Sequence, residues 1–427
     1  MKIFITGATG FIGTHLVRRL AATDHELSCL TRKTSNVREL DKLGIDFVRG
    51  DIRKKESLRT AMEGADCLIH LAGISSFWEQ DKQIYTDINV TGMRNVMECA
   101  LEAGVLKVVH LSTMAVYGKP AESPFHEEST IGPKRLSLSA LTKYEGERIA
   151  WGLYYKKGLP LTVCYPGVVL GPESNNHLSG IIRRLIQHRL PAKAFLNSIH
   201  TYTHVNDVVE ALIRLAENED TVGQRYFIGD HRIPTRELFR MIGSISGAHI
   251  PVITIPDSAA MMWAYLFTAL AGITRKPPLL GMAIDFAKTA RAGMIADGTR
   301  AQRDLGISYT PIKDALVEEI DSIRMKEKLY DRRRTERVKV DMNVVYQAEG
   351  LDHEIKAHVS DISEGGMLLE TQRPSNRGRY VSANLFGDKP GQYFYVRGRV
   401  LRKTHSGMAV EITHSDKDIH KLISEMR

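Results

Sequence analysis

The chain opens on Lys2-Ile3-Phe4-Ile5, a strand pattern that runs straight into Thr6-Gly7-Ala8-Thr9-Gly10-Phe11-Ile12-Gly13 and then into a helical pattern. Nothing else in the sequence limits the fold as much. Glycine is required at such a junction for three reasons: the turn is tight, the backbone must approach a pyrophosphate closely, and the helix must pack hard against the sheet. The first helical turn then offers free N–H groups and the positive end of its dipole to phosphate. The spacing is GxxGxxG rather than GxGxxG, and its place directly behind residues 2–6 makes it informative. Gly7, Gly10 and Gly13, with Phe11 and Ile12 between them, are candidate dinucleotide-binding residues.

The alternation continues. Residues 2–6, 27–31, 46–48, 67–71, 107–112 and 161–166 read as strands, separated by amphipathic stretches such as His15–Ala22, Ser57–Met62, Thr91–Ala103 and Ala140–Lys156. Strands alternating with helices imply βαβ units, a parallel sheet covered on both faces and a Rossmann-like doubly wound α/β fold. Past residue 170 the pattern loosens, up to a last helix near Pro311–Leu329, and a substrate subdomain, mainly residues 171–310, is expected over the ligand edge of the sheet. A chain of 427 residues is too long for one typical core, and the texture changes after the charged stretch Arg324–Arg337. Val338–Tyr346, Ile355–Val359, Gly366–Glu370, Tyr393–Leu401 and Gly407–Ile412 alternate apolar and polar residues between turns, the pattern of a small antiparallel β-barrel. The predicted domains are 1–328 and 329–427.

Charge and cysteine usage narrow the function classes. The formal net charge is +8, and residues 324–427 carry 20 Lys and Arg against 15 Asp and Glu, so a quarter of the chain holds most of the excess. A basic tail is usually a solvated face, and an anionic ligand there needs a motif to support it. No aromatic-interleaved basic stripe points to nucleic acid. Cys29, Cys67, Cys99 and Cys164 lie far apart in apolar runs, as reduced buried thiols do, and neither a disulfide framework nor a metal site is expected. The N-terminus reads as a strand rather than a leader. The most apolar segment, Ala259–Ile273, is shorter than the roughly 18–20 residues that span a bilayer. It reads as a buried helix or a lid over an apolar substrate, with shallow membrane contact as the minor alternative because Arg275 and Lys276 follow it. A cytoplasmic protein without stable membrane insertion is expected.

Further stretches, in order, resemble the extended short-chain dehydrogenase/reductase family, also called the NAD-dependent epimerase/dehydratase family, over roughly the first 320 residues. Gly50-Asp51-Ile52 resembles its adenine-contacting turn, and His70-Leu71-Ala72-Gly73 its fourth-strand segment beside the cofactor. Asn89-Val90-Thr91-Gly92 carries its helix-four asparagine. Leu111-Ser112-Thr113 with Val116-Tyr117-Gly118 resembles the catalytic fifth strand, and Pro166–Pro172 the loop bordering the nicotinamide. The resemblance implies Asp51, Ile52, Leu71, Ala72, Gly73, Asn89, Lys143 and Pro166 as cofactor contacts. The second strand ends in Thr31-Arg32-Lys33, with no acidic residue for the ribose 2′-hydroxyl of NAD. A guanidinium fits a 2′-phosphate, so Arg32 favours NADP, with NAD as the alternative.

The family's chemistry uses a Ser/Thr, a Tyr and a Lys, the Tyr moving a hydroxyl proton while hydride passes to or from the nicotinamide. Thr113 matches the first and Lys143 the last. Ser139 stands where the tyrosine is expected, four residues before Lys143, and its hydroxyl is too short and too weakly acidic to replace it directly. Tyr144, five positions on, lies about 140° around a helix. Three readings stay open. Another acid acts, or a water relayed through Ser139 and Thr113; or the step needs only hydride transfer and a weak proton donor; or turnover is lost and the cofactor kept as a structural or sensing ligand. The Met, Trp and Leu content between residues 259 and 282 resembles members with apolar substrates more than those acting on free nucleotide sugars.

Past residue 330, Asp331-Arg332-Arg333-Arg334-Thr335-Glu336-Arg337 and Asp361-Ile362-Ser363-Glu364-Gly365-Gly366 together resemble the PilZ family, which binds cyclic di-GMP through RxxxR and (D/N)xSxxG motifs. Arg333 and Arg337 match the first motif; Asp361, Ser363 and Gly366 match the second. Arg332 and Arg334 add to the cluster. Arginine pairs with phosphate oxygens and guanine edges and stacks on bases, which suits such a ligand. The sequence thus reads as a cyclic-di-GMP-regulated NAD(P)-dependent oxidoreductase or epimerase acting on a secondary alcohol or carbonyl of an apolar or sugar-linked small molecule. The rival reading is a catalytically impaired signalling adaptor. A homodimer is left open.

Overall fold

Ile3, Phe4 and Ile5 have no solvent contact, as an apolar strand covered on both faces requires. They form β1 (Lys2–Thr6), which leads through the glycine turn into α1 (Phe11–Leu20). The computed structural model describes residues 1–38, 40–326, 338–348, 353–363, 366–376, 378–386, 393–404 and 406–415. The alternation runs on through β2 (Glu26–Thr31), β3 (Asp46–Arg49), α2 (Glu56–Arg59), β4 (Cys67–His70), α3 (Gln83–Thr86), α4 (Met93–Glu102), β5 (Lys107–Leu111), α5 (Leu138–Lys157) and β6 (Leu161–Pro166). Then come β7 (Val168–Leu170), α6 (His177–Ile186), β8 (Ile199–His204), α7 (Val205–Glu217), β9 (Arg225–Ile228), β10 (His231–Pro234) and α8 (Thr235–Ser246). Helices α9 (Asp257–Thr274), α10 (Ile284–Ala292), α11 (Thr299–Leu305) and α12 (Ile312–Lys326) complete the first of two compact units, Met1–Ile323 and Arg324–Arg427.

The main sheet has the order β3-β2-β1-β4-β5-β6-β9, with every pairing parallel. The chain winds outward from β1 in one direction and from β4 in the other, so a crevice opens between their carboxyl ends, where ligands bind in open α/β sheets. One face is covered by α1 and α7 through Leu16, Val17, Val208 and Leu212; the other by α4 and α5 through Val96, Met97, Ala150 and Trp151. Both α7 and β9 lie inside the span read from sequence as substrate subdomain, yet they belong to this sheet and its cover. A second sheet, β10-β8-β7, carries α8 and α12. Cys29, Cys67, Cys99 and Cys164 are buried and free.

Two helices depart from expectation. The buried side of α5 is polar, with Ser139, Thr142, Gly146 and Glu147 on it. Helix α9, read as buried or as a lid, buries only Ala260, Ala264 and Ala271 and leaves its larger apolar residues in solvent. Small residues let its inner stripe lie flat on the neighbouring elements, and no second layer covers the other side among the described residues.

The second unit is a closed antiparallel barrel of β11 (Val338–Ala348), β12 (Ile355–Ser363), β13 (Gly366–Glu370), β14 (Tyr380–Phe386), β15 (Tyr393–Lys403) and β16 (Gly407–Ser415), in the order β11-β12-β13-β16-β15-β14. Strand β14 is absent from the sequence reading. Its inward residues Val381, Ala383 and Leu385 alternate with Ser382 and Asn384, a weak signal between polar loops.

A Cβ on Gly13 would lie 2.1 Å from Gly7 O. We expect Gly13→Ala to destabilise the first unit by about 2–3 kcal/mol. Trp78, Trp151 and Trp263 all lie in that unit, so urea unfolding followed by tryptophan fluorescence reads it directly. A midpoint unchanged from wild type contradicts the packing described.

Candidate dinucleotide and catalytic site

The turn between β1 and α1 is built backbone against backbone. Gly7 holds φ +78°, and a Cβ there would sit 2.6 Å from Ala72 N. Gly10 N donates to Gly7 O at 3.0 Å, Gly10 is exposed, and no side chain caps α1. An uncapped helix end beside a cradle that any Cβ would fill fits a pyrophosphate. Phe11 and Ile12 are half-buried beside it. Thr6 straps this turn to the next strand: its Oγ1 lies 2.6 Å from His70 Nδ1, and its carbonyl accepts from Leu71 N at 3.0 Å. Leu71, Ala72 and Gly73 thereby border the crevice.

On the β2 side, Arg32 is exposed just past the strand end, its carbonyl accepting from Arg49 Nη1 at 2.8 Å. Asp51 is held by Arg53, whose Nη2 donates to it at 2.6 Å and whose hydrogen bonds keep its carboxyl below the usual range. Ile52 is buried against Gly92, where a Cβ would collide with it. Pro166 ends β6, in register with Ile228.

Asn89 lies in a π-helical turn, Asp87–Gly92, between α3 and α4. Its side chain accepts from Ile74 N at 2.9 Å and donates to Ile74 O and Thr142 Oγ1, both at 3.0 Å. Ser139 Oγ donates to the same Ile74 carbonyl at 2.9 Å. The hydroxyl at the expected tyrosine position is therefore a tie between α5 and the loop after β4, with its proton already engaged. One turn on, a Cβ at Gly73 would lie 2.9 Å from Lys143 Nζ and 3.4 Å from Asn89 Oδ1. The lysine amine occupies the space that glycine leaves. Burial pulls its ammonium down to about 8.

Beneath it the floor is uncharged. Burial pushes His70 down to about 3 and His110 well below its ordinary value, and their rings stack 5.3 Å apart. Thr113 Oγ1 accepts from Ala115 N at 3.3 Å, which leaves its own proton to donate. Tyr117 is spent elsewhere, donating to Glu127 O at 2.8 Å, and Tyr144 lies under the Arg135 guanidinium at 4.4 Å. The sequence reading missed Glu147. This buried carboxylate, raised by burial, accepts from Ser112 Oγ at 2.6 Å, Tyr165 Oη at 2.5 Å and Trp151 Nε1 at 3.2 Å, and so ties α5 to β5 and β6. The signal was present in the spacing 139-143-147, one polar ladder on a single helix face.

A second network holds the loop after β7. Gly171 N donates to Glu319 at 3.1 Å and Glu173 N to Ser322 Oγ at 2.8 Å, both acceptors on α12. From the other side Arg18 Nη1 donates to Glu173 at 3.0 Å, and His15 Nε2 lies 3.0 Å from Pro172 O, both on α1. The loop is thus shared between the glycine-turn helix and the last helix of the unit.

In the barrel, Asp361 pairs across with Lys339 and Leu368 beside a bulge after Val359, and Ser363 pairs with Gly366 at the hairpin. A Cβ on Gly366 would lie 3.0 Å from Val410 O, so the strands leave little room for a side chain there. Arg332, Arg333, Arg334 and Arg337 lie outside the described residues.

Residues 3–229 match the model of the NAD dependent epimerase/dehydratase family. The chain belongs to that family. Residues 331–426 match the PilZ domain. Among curated proteins, the chain is 28% identical over 325 residues to a putative dihydroflavonol 4-reductase of Synechocystis, covering 74% of this chain and 93% of that one. It is 28% identical over 328 residues to sterol demethylase protein B of Methylococcus capsulatus, covering 75% and 97%. Among solved structures, that of gox2253 superposes with TM-score 0.67 at 27% identity, covering 76% of this chain and 98% of the other. A UDP-glucuronic acid 4-epimerase from Bacillus cereus, solved with NAD, has the same fold, with TM-score 0.61 at 22% identity and coverage of 77% and 100%. Family membership makes the first unit a nicotinamide-dinucleotide domain of the epimerase and reductase type, followed by a PilZ barrel.

With its ammonium titrating near 8, Lys143 gives the site a defined pH response. Nicotinamide-dinucleotide affinity is expected to be full below about pH 8 and to fall as pH rises through it, because the cation is lost. Lys143→Met is expected to bind about tenfold more weakly at low pH and to show no such fall. Fluorescence titration across this range decides it; a wild-type affinity independent of pH contradicts the assignment.

Proposed function

We propose that this protein is an NADP-linked oxidoreductase acting on a secondary alcohol or carbonyl of an apolar small molecule, governed by cyclic di-GMP at its PilZ domain. The observation that carries the reading is the enclosed Lys143 amine over Gly73, beside the uncapped end of α1. Gly7, Gly10 and Gly13 let the pyrophosphate approach, with Phe11 and Ile12 flanking it; Asp51 and Ile52 border the adenine; Leu71, Ala72, Gly73, Asn89 and Pro166 line the path to the nicotinamide. When bound, the dinucleotide supplies or accepts the hydride. Arg32, with no carboxylate in its place, suits a ribose 2′-phosphate.

The missing tyrosine assigns the proton to another group. Ser139 is occupied as a donor to Ile74 O. Lys143 Nζ, drawn near neutrality by burial, gives its proton to the substrate oxygen as the carbonyl is reduced and regains one from water. Thr113, with its hydroxyl proton free of the Ala115 contact, orients that oxygen. The tie made by Ser139 also favours a second reading, in which turnover is lost and the dinucleotide serves as a sensed ligand.

For regulation, the Arg332–Arg337 cluster with Asp361, Ser363 and Gly366 would hold the two phosphates and guanines of cyclic di-GMP. The transmitting element is α12, from which the chain continues to the barrel. Its Glu319 and Ser322 grip the loop that α1 grips from the other side, so a ligand that shifts α12 changes the ground on which the dinucleotide helix stands.

The test is an NADPH titration of the full chain with and without saturating cyclic di-GMP. We expect binding, an affinity change of about fivefold or more with cyclic di-GMP, loss of that change in Arg333→Ala, and a much smaller change in Ser322→Ala. Arg32→Asp should shift preference toward NADH by about tenfold. Failure to bind NADPH or NADH overturns the oxidoreductase reading, and an affinity indifferent to cyclic di-GMP overturns the regulatory one.

A further inference from the structure

The outer face of α9 presents an unusual surface. The helix is 18 residues long, and the residues it buries are all alanine. Met262, Trp263, Leu266, Leu270 and Ile273 recur at helical spacing on the opposite side. Leu266 is 56% exposed, Leu270 55% and Ile273 81%, far beyond the scattered apolar residues that any surface carries. Leu279, just past the helix, is 61% exposed.

The charge on this segment is one-signed. Between Asp257 and Asp285 the only charged residues are Arg275 and Lys276, which separate Ile273 from Leu279. A third cation joins that edge, since Arg184 Nη1 donates to Leu280 O at 2.6 Å. Among the described residues no helix is long and apolar enough to cross a membrane. An apolar face with an aromatic residue and a cationic rim instead matches a helix lying in the plane of an anionic interface. A second copy of the chain fits less well, because stacking this face on itself brings the cations together with no carboxylate of the segment to answer them.

We propose that this face docks the protein reversibly on an anionic lipid bilayer. The other flank of α9 adds a reason. Thr268, Ala271, Gly272 and Arg275 border a cleft of about 430 Å³ whose far wall is Trp78, Glu79, Asp81 and Lys82, after β4. The loop after β4 starts at Leu71 and passes Gly73, beside Lys143. A helix seated on lipid thus has on its other side the loop that leads back to Lys143, the group that the proposed function sets at the substrate oxygen.

The experiment is flotation of the full chain with vesicles of phosphatidylcholine alone or containing about 30% phosphatidylglycerol. We expect capture by the anionic vesicles, little by the neutral ones, and a blue shift of tryptophan emission that is lost in Trp263→Phe while capture persists. Leu266→Glu and Ile273→Glu, both at exposed positions, should reduce capture about tenfold or more, with NADPH binding unchanged as the check on folding. Arg275→Glu with Lys276→Glu should abolish the preference for anionic lipid. No capture by anionic vesicles overturns the proposal. So does capture that survives Leu266→Glu and Ile273→Glu, which would place the lipid contact on the Arg332–Arg337 cluster instead. A concentration-dependent dimer dispersed by the same two variants, without vesicle binding, assigns the face to a second copy.

Discussion

The contact of Gly13 and Ala72 with the Gly7 turn is what the rest of the first unit depends on. With no side chains between these backbones, α1 comes down on the sheet at the point where the strand order reverses. Its first turn is left uncapped because a cap would occupy the space the turn exists to keep open. A side chain at Gly7 or Gly13 moves the helix outward and opens the cradle. Stability and ligand binding are therefore one constraint here.

The far side of the crevice rests on a different device, a helix that buries polar atoms. Ser139, Thr142, Lys143 and Glu147 of α5 face the sheet, and each has a specific partner or a specific vacancy. Buried polar groups are costly when unpaired, so such a face is rigid and specified. Within that face the Ser139 hydroxyl joins the Asn89–Ile74 tie and leaves no unmet donor. It also leaves Lys143 as the titratable group that burial has brought near neutrality at the crevice.

The doubly wound architecture was legible because apolar strands and the glycine turn are local signals. The barrel was legible too, except for β14, whose inward Val381, Ala383 and Leu385 are too small to stand out between polar neighbours. The same pattern singled out candidate site residues at strand ends, where a local signal exists to be read. It did not single out those defined by three-dimensional partnership. Glu147 looks like any helical carboxylate until Ser112, Trp151 and Tyr165 converge on it, and Glu319 until Gly171 and Ser179 do. Helix α9 misled for the opposite reason, since an apolar composition was read as burial. Its inner stripe is alanine, and its bulk points outward. Composition cannot say which way a helix faces when every face is apolar.

The central claim is that Lys143, not a tyrosine, is the titrating group at the nicotinamide end of the crevice. Its most direct test is an NMR titration of the protein with lysine labelled at Cε. One resonance should titrate near pH 8 and be absent from Lys143→Met, well below the ordinary lysine value of 10.5. If that resonance titrates with the other lysines near 10.5, the amine is not enclosed over Gly73 and the proposed proton route fails.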